Sequence, residues 1–403
     1  MATHPIFEME APMANRTLLK NGSVINVFTG EIEQADVLMG DGRILGVGDY
    51  EDCEADVVED VSGSYICPGF IDGHIHVEST TLTPYELART VIPHGTTAIV
   101  ADPHEIANVS GMSGIAYMIE ASEGLPMTVY MMLPSCVPAT PLDESGATLE
   151  AKDLRPLYQH SRVLGLGEIY HGRKVVNKGR LMDFKEPAVR HDIWKTVRNS
   201  FCLNVLTETD FQIAPQGRKC RVIRTIPDQL LTEEMIVDID FSKDNGVNVD
   251  RDILKLAVIE RHLRTGHIGL GFISGIGMKN GAIASSVSHD SHNLIVIGAD
   301  ENDMSVAANR IRTMGGGLIV AADGEILAEM PLPVAGLMSQ LPAADAAGQN
   351  EAIRRAVYSL SVPENIEPFM TMAFVSLPVI PSLKMTTRGL VDVGRQEIVS
   401  LFL

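Results

Sequence analysis

One stretch limits what this chain can become more than any other: Pro68-Gly-Phe-Ile-Asp-Gly-His74-Ile-His76-Val-Glu-Ser79. Its first half is apolar and β-prone, and it then delivers two histidines two positions apart. In a strand, residues i and i+2 point to the same face. His74 and His76 can therefore offer two imidazoles to one point at a strand's C-terminal end. Neutral imidazole is a common ligand for divalent first-row metals, so the pair reads as a metal-ligand geometry. The plainer reading is a half-buried polar pair, because a motif this short also arises by chance.

The residues that follow alternate between strand and helix patterns, which argues for βα units on a parallel sheet. Pro84 to Val91 suits a helix with proline in its first turn. Gly95 to Ala101 reads as a buried strand ending in Asp102-Pro-His104-Glu105-Ile-Ala-Asn108. Met127 to Leu133 and Val163 to Glu168 read as two more strands, the last ending in a carboxylate. Strands that end in polar residues are what the active face of a TIM barrel needs, but residues 68–168 fall far short of the roughly 250 residues of a complete barrel. The expected fold class is α/β: an incomplete TIM-like barrel, with a small β domain and a C-terminal α+β domain. A half-barrel leaves open sheet edges, which the next domain or a second subunit would cover, so a homo-oligomer is expected.

The small β domain is expected from residues 17–67 and 172–202. Strands around Ala35–Met39 and Arg43–Val47 flank a Gly40-Asp41-Gly42 turn, a hairpin signal. A returning strand is expected over 171–182. The partial barrel would take residues 68–171 and the C-terminal domain 203–403. In that domain, strands are expected at 219–224, 267–277, 282–287, 294–297, 318–322 and 325–328. Helices are expected from Asp250 to Thr265 and from Asn302 to Met314. Residues 343–348 read as an Ala-rich loop, and Gly315–Gly317 as a turn. His94 and His262 read as structural, and the 19 methionines as core filling.

Composition narrows the partners. A formal charge of −20 and a pI near 5.0 argue against nucleic acid or an anionic membrane surface. The five cysteines, Cys53, Cys67, Cys136, Cys202 and Cys220, are odd in number and form no CxxC pair. Without a basic leader at the start, they read as reduced thiols in a cytoplasmic protein. No uncharged apolar run approaches 18 residues, so no membrane span is expected.

At Pro68–His76, Pro93-His-Gly-Thr-Thr, Asp102-Pro-His-Glu-Ile-Ala-Asn108 and Gly165-Leu-Gly-Glu168, the chain resembles the adenine deaminases of the amidohydrolase superfamily. Arg261-His-Leu-Arg-Thr-Gly266, Gly281 to Ser286, His289-Asp-Ser-His-Asn293, Met314 to Leu318 and Pro378 to Lys384 resemble that family's C-terminal domain. The resemblance implies a binuclear centre of manganese or iron that hydrolyses adenine to hypoxanthine and ammonia. It implies that His74 and His76 bind one metal and that Glu168 bridges both. Asp102, His104 and the His289–Asn293 cluster would lie near the site. Glu105 is the nearest spare carboxylate for acid–base work, and a surface helix cap is an equal reading for it.

The family draws two further histidines and an aspartate from later barrel strands, and these are absent from the pattern here. His171 and His191 fall near the junction but match no motif. In one reading the chain is an active enzyme, with His289, Asp290 or His292, or another subunit, supplying the remaining ligands. In another it is a catalytically defective or non-catalytic relative. A third, a dihydroorotase- or imidazolonepropionase-like enzyme, explains His-x-His but not the C-terminal region.

Overall fold

A computed structural model describes residues 16–403 except 168–184, 199, 228 and 243, with the backbone alone at 244. The described residues divide into two compact units after Phe70. The first is one sheet built from β1 (Thr17–Asn26), β2 (Glu31–Gly40), β3 (Arg43–Gly48), β4 (Val57–Asp60) and β5 (Tyr65–Ile66). Its order is β3-β2-β1-β4, with β5 also beside β1. Asp41 and Gly42 link β2 to β3 with φ of 51° and 72°, the left-handed pair that a two-residue hairpin requires.

The second unit opens with strand–helix alternation. Its elements are β6 (Phe70–Ile75), α1 (Pro84–Val91), β7 (Thr96–Ala101), α2 (His104–Glu120), β8 (Thr128–Leu133), α3 (Ala151–Leu154), β9 (Val163–Leu166) and α4 (His191–Arg198). The strands lie in the order β6-β7-β8-β9, with β8 parallel to both β7 and β9. Thr83 caps α1 by accepting the Glu86 amide, and Pro84 takes the position where no amide is needed. Ile99, Ala101, Met131 and Leu133 from the strands pack against Ile106, Ile115 and Met118 of α2, and Ile193 and Val197 of α4 join them. The register pairs Ala101 with Met131 and Leu133 with Leu166, so these strands finish along one edge. Asp102 and Gly167 stand just beyond it.

A closed barrel has eight strands with a packed interior. The described residues supply four, and Ile71, Leu164 and Leu166 on the outer two stay 68%, 56% and 60% exposed.

The rest of the second unit centres on an eight-stranded sheet. Its elements are β10 (Lys219–Thr225), β11 (Thr232–Asp238), β12 (Leu254–Ile259), β13 (Ile268–Ser274), β14 (Ala282–Ser285), β15 (Leu294–Gly298), α5 (Glu301–Met314), β16 (Gly317–Ala322) and β17 (Glu325–Pro331). The order is β11-β10-β13-β12-β15-β14-β16-β17. Then come α6 (Ala343–Ser359), α7 (Pro368–Val375) and a three-stranded sheet of β18 (Leu383–Thr386), β19 (Gly389–Asp392) and β20 (Glu397–Val399).

The eight-stranded sheet is covered on both faces, and side chains sort between them with period two. Leu254, Leu256, Val258, Ile283, Ile295 and Ile297 pack with Ile353 and Val357 of α6 and Met372 of α7. Ala257, Ile259, Ala284, Leu294 and Val296 pack with Met304, Ala307, Ala308 and Ile311 of α5. No helix among the described residues is long and apolar enough to cross a membrane.

Two sequence expectations are corrected here. Asp250 to Thr265 is not a helix: a short 3₁₀ turn at Val249–Arg251 precedes strand β12. A strand buried on both faces has no polar alternation, and periodicity alone does not separate it from a buried helix. Residues 343–348 are the first turns of α6 and not a loop, in keeping with alanine's helix preference.

Leu256 sits mid-strand with 0% exposure. Leu256→Ala is expected to cost roughly 2–5 kcal/mol, read as a lower midpoint in chemical denaturation. An unchanged midpoint would contradict the buried-strand assignment.

Candidate metal centre

The histidines of the opening stretch stand at the end of β6. The amide of Asp102, just past β7, donates to the Ile75 carbonyl at 3.0 Å and ties the two strand ends together. The carbonyl of the same Asp102 lies 3.0 Å from His76 Nδ1. A carbonyl only accepts, so Nδ1 carries the proton and Nε2 keeps its lone pair. This backbone-fixed tautomer is typical of metal-ligating histidines. His74 Nε2 lies 3.1 Å from His76 Nε2, and two ring nitrogens this close can share a cation. Burial, reinforced by nearby His104, lowers the pKa of His76 and keeps it neutral. His74 is exposed and His76 half-buried.

The first turn of α2 brings the carboxylates. Asp102 is 0% exposed and Glu105 is 1%. The surface-cap reading of Glu105 is therefore corrected, since α2 starts inside the unit. His104 Nδ1 lies 3.6 Å from Asp102 Oδ1, and its Nε2 lies 3.5 Å from Asp290 Oδ1. Burial opposes charging His104, but Asp102, Asp290 and Glu105 outweigh it and hold its pKa well above the usual value. Burial also acts to raise the Asp290 carboxyl, yet His104 keeps it below its usual value.

Sequence reasoning misses two residues that directly follow the histidines. The chain turns inward after His76 through a 3₁₀ turn, Glu78–Thr80. Ser79 Oγ then donates to Glu105 Oε1 at 2.5 Å, and the Ile106 amide donates to Glu78 Oε1 at 3.1 Å. Burial, with the Glu105 charge beside it, pushes the Glu78 carboxyl up to about 8. The one signal for them is the polar pair Glu78-Ser79 standing so close to the His-x-His motif.

The loop between β14 and β15 completes the cluster. His289 Nδ1 lies 3.5 Å from Glu105 Oε1, and His292 Nε2 lies 3.9 Å from Glu105 Oε2. Burial, with the charges of His289 and Arg261, holds the His292 pKa well below its usual value. Antiparallel pairing sets Ile259, at the end of β12, against Leu294, at the start of β15. Residues just past β12 therefore reach the loop. Arg261 Nε donates to the His292 carbonyl at 2.5 Å, and His262 Nε2 donates to the Ser291 carbonyl at 2.7 Å. On the other flank, Asn293 Nδ2 donates to the Glu144 carbonyl at 2.6 Å and to Asp143 Oδ1 at 3.4 Å. Sequence reasoning gives no role to Arg261 or Asp143, because each acts on a segment distant in the chain.

The donor atoms of His76, His104 and Glu105, and those of Glu105, His289 and His292, lie within 4.8 Å of one another. Glu168 and His171 fall outside the described residues, as does most of the expected 171–182 strand. His94 is exposed at the end of a 3₁₀ turn and His191 is exposed at the start of α4. Neither belongs to the two clusters.

The donor set suits a divalent cation. Both carboxylate oxygens of Asp102 are buried without a hydrogen bond among the described residues. A buried anionic oxygen with no donor is costly, and a coordinated cation offsets that cost. Imidazole and carboxylate together suit first-row divalent metals. Gly167 makes the packing possible: a Cβ there would lie 2.3 Å from Asp102 Oδ2.

Residues 65–181 match the Amidohydrolase family, and residues 229–397 match the Adenine deaminase C-terminal domain. An "Adenine deaminase 2" from Carboxydothermus hydrogenoformans is 33% identical, over 96% of this chain and 97% of its own length. An "Adenine deaminase" from Desulfatibacillum aliphaticivorans is 32% identical, over 96% and 97%. The first alignment runs to 556 positions against 403 residues here, so a long stretch of that relative faces no residue of this chain. A crystal structure of a dihydroorotase overlaps 38% of this chain and 42% of its own at 20% identity, with a TM-score of 0.28.

Two outcomes are expected. His76→Ala should lower the divalent metal retained per chain, measured by elemental analysis after gel filtration, while a distant exposed histidine, His94→Ala, should not. The second concerns Asp143, whose carboxyl burial pushes up to about 6. A carboxyl raised on folding adds stability below its unfolded value of about 3.9 and loses it as pH rises through the folded value. Denaturation midpoints should therefore show a decline between about pH 4 and 6 that Asp143→Asn flattens.

Proposed function

This chain belongs to the adenine deaminase family, and we propose that it hydrolyses the C6–amino bond of adenine, giving hypoxanthine and ammonia. One observation carries the reading. The His-x-His strand end and the His289–Asn293 loop, far apart in sequence, meet around Glu105. A divalent metal, with manganese and iron as candidates and two ions per site as the family expectation, would be held by His74, His76, Asp102 and His289. Glu168 is a further proposed ligand, on the strength of its motif. When bound, the metal supplies a water whose pKa falls from 15.7 toward ~7.

The remaining work belongs to side chains. Glu105 takes the proton released as the water oxygen bonds to C6, and returns it to the exocyclic nitrogen as the C6–N bond breaks. His104 stays charged between Asp102 and Asp290, holding both carboxylates in place. Asp290, with a side chain 13% exposed, stands on the more open side of this cluster. His76 keeps its Nε2 lone pair beside the His74 ring, so substrate and water would approach along the same edge.

A second reading, a catalytically defective relative, has its own support: four barrel strands among the described residues where a closed barrel has eight. One assay separates the two. The purified chain, loaded with manganese and given adenine, should release ammonia. Glu105→Gln should lower the rate by about 10²–10⁴-fold. A metal-loaded chain that releases no ammonia would leave the defective reading standing.

A further inference from the structure

Distance alone groups His292 with Glu105 and His289 as a set of metal donors. The hydrogen bonds around its ring say otherwise. The amide of Ser288 donates to His292 Nδ1 at 3.1 Å. An amide nitrogen only donates, so Nδ1 must hold a lone pair. A neutral imidazole with a lone pair on Nδ1 carries its proton on Nε2, and imidazolium, with both nitrogens protonated, is excluded by the same bond. His76 has the opposite arrangement, because its Nδ1 faces a carbonyl.

We infer that His292 is a positioning residue that donates its Nε2 proton to Glu105, and that it is not a metal ligand. The inference rests on the reading of this cluster as the metal site of a deaminase. Its Nε2–H and Glu105 Oε2 face each other at 3.9 Å, and both atoms are buried with no hydrogen-bond partner among the described residues. The separation is long for a hydrogen bond, and such contacts tighten when a site is loaded. Ser79 already donates to the other oxygen, Oε1. With His292 on Oε2, the carboxylate plane of Glu105 is fixed from both sides. A hydrogen-bonded carboxylate of this kind is the usual support of a metal site.

The tautomer cannot switch cheaply. Moving the proton to Nδ1 would set two donors 3.1 Å apart. The backbone has no slack to relieve this, since the His292 amide donates back to the Ser288 carbonyl at 2.7 Å. Arg261 holds the His292 carbonyl, and His292 itself sits at φ 51°, in the left-handed region. Among the described residues no backbone group bonds the His289 ring, so His289 is the imidazole of this loop that can turn a lone pair to a cation.

The test uses the full chain with ¹⁵N-labelled histidine, whose ring nitrogen shifts report each tautomer directly. His292 should show a protonated Nε2 both without metal and after zinc loading, whereas His76 should show an Nε2 lone pair that moves on zinc loading. Metal per chain should match the parent in His292→Ala and His292→Gln, and fall in His76→Ala. Ammonia release from adenine should drop about 10–100-fold in His292→Ala. It should recover in part in His292→Gln, whose amide hydrogen falls near the lost Nε2–H. A lone pair on His292 Nε2 that binds zinc, or loss of an ion in His292→Ala, overturns the inference. Absence of ammonia release from the parent would count against the proposed function alone, because the ring shifts and metal content still decide the role of His292.

Discussion

The backbone of one residue, Asp102, is the hinge on which the site depends. Its amide bonds the end of β6 through Ile75, and its carbonyl fixes the His76 tautomer. The same residue's side chain is the most deeply buried carboxylate of the cluster. Strand pairing therefore does more than hold a sheet together. It determines which nitrogen of His76 bears a proton, and so whether that ring can bind a cation at all. Any shift between β6 and β7 would disturb the ligand geometry and the charge balance together.

The second half of the site is held by a different device. The 289–293 loop joins β14 to β15, two inner strands of an eight-stranded sheet whose side chains pack on both faces. Arg261 and His262 reach it from the neighbouring strand end, and Asn293 ties it to Glu144. These bonds end mostly on backbone carbonyls, so they fix position without adding negative charge. The charge comes from Asp102, Glu105 and Asp290 on one side, and from His104 between two of them. A compact group of buried carboxylates held this way is electrostatically unfinished on its own, which is why a divalent cation suits it.

Much of this is legible in the sequence because it is local. The His-x-His pair, the Pro84–Val91 helix and the strands at 219–224 and 294–297 follow from short-range periodicity and turn chemistry. The strand at Leu254–Ile259 passes for a helix because burial on both faces erases alternation. Glu105 passes for a surface cap because a helix start inside a unit looks in sequence like one at the surface. The tautomers of His76 and His292 lie beyond sequence altogether. Each depends on whether an amide or a carbonyl faces the ring, and both ring partners come from loops. Roles for Arg261 and Asp143 are hidden for the same reason, since each supports a distant segment.

Gly167 shows how narrow the tolerance is. It offers the site no side chain, and the space where one would stand is already taken by an Asp102 oxygen. The site could thus be silenced by adding one carbon atom, with every imidazole and carboxylate left in the sequence. A tally of ligand residues among cousins of this chain would miss such a loss, whereas the identity of that one small neighbour would report it.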